Sequence, residues 1–328
     1  MVWYKNNDAD IIVSTRIRLA RNLEGVPFPG ALKDKASVTN KIKEAVLGSN
    51  STLAGEFEFI DLDKTPQNEK DKLREEHLIS PEMSEGSGHS VLISSDRTMS
   101  IMLMEEDHIR LQIIESGGKL KEAFKTASRV DDVIEESLSY AFDEKFGYLT
   151  ACPTNTGTGL RASVMLHLPA LTMTDNIGRI LSSVNNMGIA VRGLYGEGTR
   201  AYGNLYQVSN QVTLGLSEEE IIDKLENIAK QIVDAEKKTR AALAEKNESY
   251  LKNKIMRSYG LLKYAYTMES SEARELLSDV ILGQNMGILP KGKTLPLECM
   301  INVTPSFIGA SSPAERDLKR ASYLNENI

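Results

Sequence analysis

The chain has 328 residues, which is enough for one large domain or for two domains that each bury a core of their own. Its net charge of -7 argues against a broad nucleic-acid surface, and its two cysteines, Cys152 and Cys299, argue against a disulfide scaffold or a structural zinc site. No segment has the apolar run of a signal peptide or of a membrane span. We therefore expect a cytoplasmic protein that contacts neither membranes nor nucleic acid directly.

The first part of the chain predicts a sheet of short strands with helices between them. Alternating apolar and polar residues predict strands at residues 11–23, 57–62, 89–94, 99–105 and 108–116. Apolar residues at helical spacing predict helices at residues 34–47, 65–77 and 119–140. The links between the last three of these strands are too short for a parallel crossover, so we expect antiparallel neighbours.

The second part of the chain changes from mixed to helical composition. A strand, a helix and two further strands are predicted at residues 161–168, 174–187, 189–192 and 205–213. From the capping box at Ser217 onward, helices are predicted at residues 221–246, 250–267, 271–286 and 314–325. We expect an α+β domain at residues 1–240, with an antiparallel sheet flanked by helices, followed by an all-helical domain at residues 241–328.

Arginines recur on the predicted strands. Arg16 and Arg18 share one face of the first strand, about 7 Å apart at strand spacing. Arg110, Arg161 and Arg192 lie in or beside other strands whose opposite face is apolar. If these faces coincide, an anion of comparable charge must lie between the guanidinium groups, and ATP meets that requirement. Each arginine alone could equally be solvated or salt-bridged.

Two further segments carry candidate chemistry. In residues 105–110, strand alternation would place Glu106, His108 and Arg110 on one side, with Glu106 and Arg110 about 13 Å apart. Cys152 lies in a glycine-containing loop before a strand, which suits either an anion site or a simple turn. No P-loop, protein-kinase or dinucleotide-binding signature competes with a nucleotide site built from strand arginines.

These motifs resemble those of the phosphagen (guanidino) kinases and, within them, the bacterial protein arginine kinases. The matching segments occur in the family's order and are residues 14–18, 105–110, 152–163 and 192–197. The resemblance implies a guanidino-kinase catalytic domain that uses ATP and Mg²⁺. It also implies in-line transfer of the γ-phosphoryl group to a guanidinium nitrogen.

The resemblance assigns roles to individual residues. Glu106 and Glu197 would hold the acceptor guanidinium, one of them as the base, and Cys152 would lie beside the acceptor nitrogen as a thiolate. His77 would lie near the adenine or ribose, with a solvated helix end as its alternative, and Glu105 is expected to be solvated. The implied ATP site consists of Ser14, Thr15, Arg16, Ile17, Arg18, His77, Arg110, Arg161, Ala162, Ser163, Val164, Met165, Arg192, Gly193, Leu194, Tyr195 and Gly196.

No carboxylate of the sequence is an evident magnesium ligand. We therefore expect the phosphates of ATP and water molecules to hold most of the metal's coordination sphere.

Two departures from the small-molecule kinases of the family indicate a protein substrate. Those enzymes resemble this chain preceded by a helical domain that closes over free arginine or creatine, whereas here the first strand is predicted from residue 11. The C-terminal helices instead resemble those of the protein arginine kinases and include that group's RDxxRA motif. By resemblance, this motif would form a regulatory phosphoarginine site with Arg316, Asp317, Arg320 and Ala321. Ordinary helix ion pairs would give the same spacing.

The resemblance further implies a homodimer, a zinc-finger activator protein and a proteolytic unfoldase as partners. Client proteins with exposed arginines, including a heat-shock repressor, would be marked for degradation in the stress response. Two alternatives stay open: a kinase for free arginine or another small guanidino compound, and a phosphoarginine-reading adaptor with weak activity.

Overall fold

This computed structural model describes residues 2–5, 7–48, 52–193 and 201–328. Its strands form an eight-stranded antiparallel sheet and a separate two-stranded ribbon. The strands are β1 (Ile12–Arg21), β2 (Phe57–Asp61), β3 (Ser90–Ser94), β4 (Met99–Leu103), β5 (Ile109–Ser116), β6 (Phe142–Asp143), β7 (Gly147–Tyr148), β8 (Leu160–His167), β9 (Ile189–Gly193) and β10 (Leu205–Asn210). The sheet has the order β2-β3-β4-β5-β1-β8-β10-β9, and β6 pairs with β7. Each pairing is antiparallel, which confirms the prediction from the short links.

Helices flank the sheet and then continue alone to the C-terminus. They are α1 (Lys35–Leu47), α2 (Gln67–Glu75), α3 (Pro81–Glu85), α4 (Leu120–Glu135), α5 (Pro169–Met173), α6 (Ile177–Asn185), α7 (Glu218–Lys246), α8 (Glu248–Tyr264), α9 (Ser270–Asn285), α10 (Pro296–Asn302), α11 (Pro305–Ile308) and α12 (Pro313–Asn327). The predicted capping box is present, because Ser217 and Glu220 bond reciprocally at the start of α7. Among the described residues, no helix has the length and apolar character needed to cross a membrane.

The apolar face of the large sheet forms the main core. At its centre, Ile17 and Leu19 of β1 and Val164 of β8 are at most 1% exposed. The helix α4 and the first part of α7 pack over this face. Because side chains alternate along a strand, Arg16 and Arg18 project from the opposite face.

The C-terminal helices form a second apolar cluster that includes the N-terminal segment. Trp3 and Tyr4 are buried there together with Leu277 of α9. The helix α7 joins the two clusters, since Ile232 belongs to the first and Leu243 to the second. The predicted α+β class, a helix-flanked antiparallel sheet followed by helices, is confirmed. The domain boundary at residue 240 stays a prediction.

Non-glycine residues with positive φ make several elements shorter than the hydrophobic pattern predicts. The helix predicted at residues 65–77 ends at Glu75, and His77 has a φ of 65°. The helix predicted at residues 174–187 corresponds to α6, which starts only at Ile177, after Asp175 with a φ of 54°, and ends at Asn185. The strand predicted at residues 99–105 ends at Leu103, because Met104 has a φ of 62°. Positive φ breaks both the helical and the strand repeat, and periodicity alone does not reveal it.

Candidate active site

Five arginines of the sheet line two adjoining cavities on the face opposite the main core. Arg18 of β1 lies directly across from Arg161 of β8, and Arg16 lies across from Ser163. The larger cavity has a volume of about 890 Å³ and the smaller one about 250 Å³. Both are lined by Arg16, Arg18, Arg110 and Arg192, and the smaller one also by Arg161. The predicted convergence of the strand arginines is therefore present.

The arginines lie close enough to oppose one another's charge. Burial, followed by the charges of Arg110 and Arg161, lowers the pKa of Arg16 to about 10. Burial and the neighbouring arginines lower the pKa of Arg18 well below its usual value. The Nε atom of Arg18 is buried and has no hydrogen-bond partner among the described residues. An anion in the cavity would relieve the repulsion and supply that partner.

An acidic loop between β4 and β5 closes one end of the cavities. Glu105 forms an ion pair with Arg110, and the Glu105 side chain is only 5% exposed. Burial alone would raise the pKa of Glu105, but Arg110 reverses this effect and the net pKa is lowered. The expectation that Glu105 is solvated was wrong, because residues 104–108 form a loop that turns this side chain inward.

Glu106 has the opposite electrostatic character. It is exposed and lines both cavities. Partial burial raises its pKa, and the charges of Asp107 and Glu105 raise it further. A carboxylate whose proton affinity is raised, at the edge of a cationic cavity, is suited to accept a proton from a bound group.

Asp107 connects the acidic loop to the loop that carries the cysteine. Its Oδ1 accepts hydrogen bonds from Nδ2 of Asn22 at 2.6 Å and from the backbone N–H of Ala151 at 2.7 Å. His108 is fully buried, and its ring lies between the N–H of Leu23 and the carbonyl of Pro27. The prediction that His108 shares a side with Glu106 and Arg110 was therefore wrong, because β5 begins only at residue 109.

Cys152 is half-buried and lines the smaller cavity together with Glu106 and Arg161. Its Sγ atom lies 3.0 Å from Oγ1 of Thr154. The loop is held from behind by Thr213, whose hydroxyl donates to the carbonyls of Thr154 at 3.0 Å and Thr156 at 2.7 Å. This bracing holds the thiol at the same end of the cavity as the acidic loop.

His77, two residues after α2, lines the larger cavity but not the smaller one. Its backbone carbonyl accepts a 2.7 Å hydrogen bond from Gln112. Its ring lies edge-on to Trp3 at 5.5 Å between centroids. Burial, followed by the charges of Arg16 and Arg274, lowers the pKa of His77 to about 3. The ring is thus neutral near pH 7 and is part of the cavity wall instead of a solvated helix end.

The geometry agrees with comparisons to known proteins. Residues 37–239 match the model of the ATP:guanido phosphotransferase C-terminal catalytic domain. The chain belongs to the ATP:guanido phosphotransferase family. Residues 248–328 match the protein-arginine kinase McsB C-terminal domain, so the resemblance expected from the sequence is confirmed.

Relatives of this phosphotransferase match over nearly their whole length. The chain is 45% identical to the protein-arginine kinase of Caldanaerobacter subterraneus subsp. tengcongensis, covering 98% of both chains. It is 43% identical to the protein-arginine kinase of Bacillus subtilis, covering 99% of this chain and 93% of that one. Among solved structures, lombricine kinase matches with a TM-score of 0.63 at 26% identity, covering 74% of this chain and 70% of that chain. The duplicated taurocyamine kinase of Schistosoma mansoni, with transition-state analogue components bound, matches with a TM-score of 0.61 at 26% identity, covering 80% of this chain and 38% of that chain.

Some predicted site residues of the phosphotransferase do not reach the cavities with their side chains. Ile17, Ala162 and Val164 are buried in the main core on the opposite face. Thr15 is also buried, and its hydroxyl donates to the carbonyl of Gly117 and accepts from the N–H of Lys119, before α4. Ile17 lies between Arg16 and Arg18, Thr15 precedes Arg16 and Ala162 follows Arg161, so these three buried residues anchor the strand positions next to the arginines. Ser14, Ser163 and Met165 line a small cavity beside Arg16.

Part of the predicted site lies outside the described residues. This part consists of Leu194, Tyr195, Gly196 and Glu197. Gly193 is the last residue of β9, and the chain is described again from residue 201.

The RDxxRA motif is partly built into the helical region. Arg320 is 2% exposed, and its Nε donates to the carbonyl of Val303 at 2.8 Å. Its Nη1 donates to the carbonyl of Met268 at 2.7 Å and to Asp317 at 2.6 Å. Ala321 is buried, whereas Arg316 is half-buried. The family resemblance predicted a phosphoarginine site here, but Nε and Nη1 of Arg320 are engaged within the fold, and phosphoarginine binding stays a prediction.

Sequence reasoning missed several residues of the larger cavity. Gln112 and Gln207 lie on the arginine face of β5 and β10, and Nη2 of Arg16 donates to Oε1 of Gln207 at 2.7 Å. Strand alternation could have identified both glutamines. Arg74 at the end of α2 and Arg274 on α9 also line this cavity. No local pattern identifies these two arginines, because their position depends on how helices pack against the sheet.

Proposed function

We propose that this chain transfers the γ-phosphoryl group of Mg-ATP to the guanidinium group of arginine side chains in proteins. The observation that carries the proposal is the pair of adjoining cavities that share arginine walls, with Glu106 lining both and Cys152 lining the smaller one. Its family membership and its 43–46% identity to proteins named protein-arginine kinase support the same activity.

The arginines are suited to hold the triphosphate. Guanidinium groups bind phosphate oxygens in pairs and stay charged at any physiological pH, even where burial lowers their pKa. Arg16 and Arg18 on β1 and Arg161 on β8 approach from adjacent strands, so they surround a bound anion without moving the backbone. Their charges stabilise the negative charge that is spread over the equatorial oxygens in the transition state.

The acidic loop and the cysteine are suited to the acceptor. As the bond from nitrogen to the γ-phosphorus forms and the bond from phosphorus to the ADP oxygen breaks, the nitrogen loses a proton. We assign Glu106 as the base, because its pKa is raised and, among the described residues, it forms no ion pair with an arginine as Glu105 does. Glu197 is proposed as the second carboxylate, and Cys152 as the group that aligns the acceptor nitrogen.

Mg²⁺ is proposed to enter as part of the nucleotide. Among the described residues, no group of three or more histidine, cysteine or acidic side chains could hold a metal ion. Phosphate oxygens and water would then supply most of the ligands, as Mg²⁺ commonly accepts in nucleotide complexes.

The exposure of Glu106 and Arg192 supports a protein acceptor. Both residues line the cavities and are also accessible from outside, so an arginine side chain on a protein surface could enter between them. We further propose a catalytic domain at residues 1–240 and a helical regulatory domain at residues 241–328. We also propose that the protein forms a homodimer, that a zinc-finger protein activates it, and that it acts with a proteolytic unfoldase. In this proposal, phosphorylation of client proteins marks them for degradation during stress.

An acceptor comparison tests the proposal. ADP release from Mg-ATP would be measured with free arginine, with an unfolded protein rich in exposed arginines, and with the same protein after its guanidinium groups are blocked. We expect release with the unblocked protein only. Release with free arginine alone would favour a small-molecule guanidino kinase. Phosphoarginine binding without release would favour an adaptor.

A further inference from the structure

The C-terminal helical region contributes a side chain to the larger cavity. Arg274, in the second turn of α9, lines this cavity together with His77, Arg16 and Arg18. Among the described wall residues it is the only one from residues 241–328. It does not line the smaller cavity, which contains Cys152. Arg274 therefore lies away from the acceptor end and beside His77.

The face of α9 that carries Arg274 is fixed to the sheet by buried hydrogen bonds. Ser278, one turn further along, is fully buried, and its Oγ lies 2.8 Å from Nε2 of His167 on β8. The same Oγ accepts a 2.7 Å hydrogen bond from Nδ2 of Asn204. Residues four positions apart share a helix face, so these bonds also set the direction of Arg274.

The backbone of α9 also packs closely against the segment that leads into β10. Gly203 has a φ of 64°, and a Cβ atom built on it would lie 3.1 Å from the carbonyl oxygen of Arg274. Gly203 directly precedes Asn204 and β10, so the start of α9 is packed against the segment that leads into the sheet. This packing and the bonds of Ser278 place the start of α9, and with it Arg274, against the cavity.

The helical region also holds the end of α2, which leads into His77. Glu75, the last residue of α2, is buried, and its Oε2 accepts a 2.5 Å hydrogen bond from Thr304 and another from Ser306. His77 follows two residues later, and the charge of Arg274 contributes to lowering its pKa. The wall around His77 is therefore built jointly by α2 and by the C-terminal helices.

We propose that Arg274 is a nucleotide-binding residue whose guanidinium contacts the nucleoside end of ATP, so that the helical region supplies part of the ATP site. This inference rests on the proposed use of the cavity for ATP. The helix α9 packs in turn on α8 and α10, and α12 packs on α8, so Arg274 belongs to the connected helical region.

The test compares Arg274→Met with Arg257→Met, a change at an exposed arginine on α8. Binding of Mg-ADP would be measured by calorimetry without any acceptor, and KM for ATP and kcat with a protein acceptor. Losing one charge-assisted contact predicts about a tenfold rise in Kd for ADP and in KM for ATP in Arg274→Met. We expect kcat of Arg274→Met to change less than its KM. For Arg257→Met, we expect a Kd for ADP within about twofold of that of the unmodified protein.

An ADP affinity in Arg274→Met within about twofold of the unmodified protein would overturn the inference. If Arg274→Met lowers the unfolding temperature relative to Arg257→Met, Arg274→Gln replaces it and is judged by the same two outcomes. Because binding is measured without an acceptor, the result is independent of which guanidinium compound receives the phosphoryl group. If ADP binding depends on Arg274 but no phosphoarginine forms, the proposed function is refuted and this inference stands.

Discussion

The ion pair between Glu105 and Arg110 divides the two neighbouring glutamates into different roles. Arg110 lowers the pKa of Glu105 against the effect of burial, whereas the pKa of Glu106 is raised. Glu105 is therefore ionised and engaged at neutral pH. Of these two glutamates, Glu106 is the one that is exposed at the cavities and suited to take up a proton and release it again.

Substitution of the two glutamates should separate these roles. Glu106→Gln removes the proposed base and should lower kcat by about 10²-fold or more, with ADP affinity nearly unchanged. Glu105→Gln leaves Arg110 without its partner, so we expect weaker nucleotide binding and a lower unfolding temperature together with a smaller loss of kcat. Steady-state kinetics and calorimetry of both variants provide the measurement. Equal kcat losses in the two variants would contradict the assignment.

The pH dependence follows from the same assignment. A base must be ionised to accept a proton, so kcat should rise with pH as Glu106 loses its own proton. Because the pKa of Glu106 is raised, the acidic limb of the pH profile should lie above the range of an ordinary glutamate, which is about 4.3. The limb should be absent from whatever activity remains in Glu106→Gln. A limb of identical position in that variant would show that another group titrates.

Arg18 should destabilise the ligand-free protein and stabilise the nucleotide complex. Its pKa is lowered first by burial and then by three neighbouring arginines, so the charge is unfavourable while the cavity holds no anion. Arg18→Met should therefore raise the unfolding temperature without ligand, reduce the shift produced by Mg-ADP, and weaken ADP binding about tenfold or more. Thermal unfolding with and without Mg-ADP measures all three effects. A lower ligand-free unfolding temperature with an unchanged ADP shift would contradict this role.

Gly157 allows the cysteine loop to pack against the segment behind it. Its φ is 118°, and a Cβ atom there would lie 2.3 Å from the carbonyl oxygen of Thr213. Gly157→Ala should displace Cys152, lowering kcat about tenfold or more while ADP binding is retained. Gly178→Ala is the matched control, since its Cβ would meet nothing within 4 Å and alanine favours a helix. Unchanged kcat in Gly157→Ala would show that the bracing of the loop is not needed for transfer.

The cationic half of the site could be predicted because it follows from strand alternation alone. Arg16, Arg18 and Arg161 lie on regular strands, so parity decides which face they occupy, and antiparallel pairing brings them together. Arg110 and Arg192 also lie within strands, so the same rule placed them correctly.

The acidic half could not be predicted in the same way. Met104 has a positive φ, so the strand repeat ends before Glu105, and the pattern gave the wrong surroundings for Glu105 and His108. A non-glycine residue with positive φ leaves no signal in the hydrophobic periodicity of the sequence.

The contribution of the helical region depends on contacts between distant parts of the chain. Arg274 reaches the cavity only because Ser278 bonds to His167 and Asn204, which are 111 and 74 residues away in sequence. Arg320 shows the converse: the family resemblance predicted a ligand site there, but in the structure Arg320 donates to the carbonyls of Met268 and Val303. Spacing within one helix does not reveal which partner a side chain finds.

The most direct measurement of the central claim is the chemical location of the transferred phosphoryl group. The chain would be incubated with Mg-ATP and an unfolded protein acceptor, digested under non-acidic conditions that preserve a phosphorus–nitrogen bond, and the peptides sequenced by mass spectrometry. We predict phosphorylated arginine side chains that are absent when Glu106→Gln replaces the unmodified protein. Phosphate found on hydroxyl side chains, or phosphoarginine formed equally by Glu106→Gln, would contradict the account.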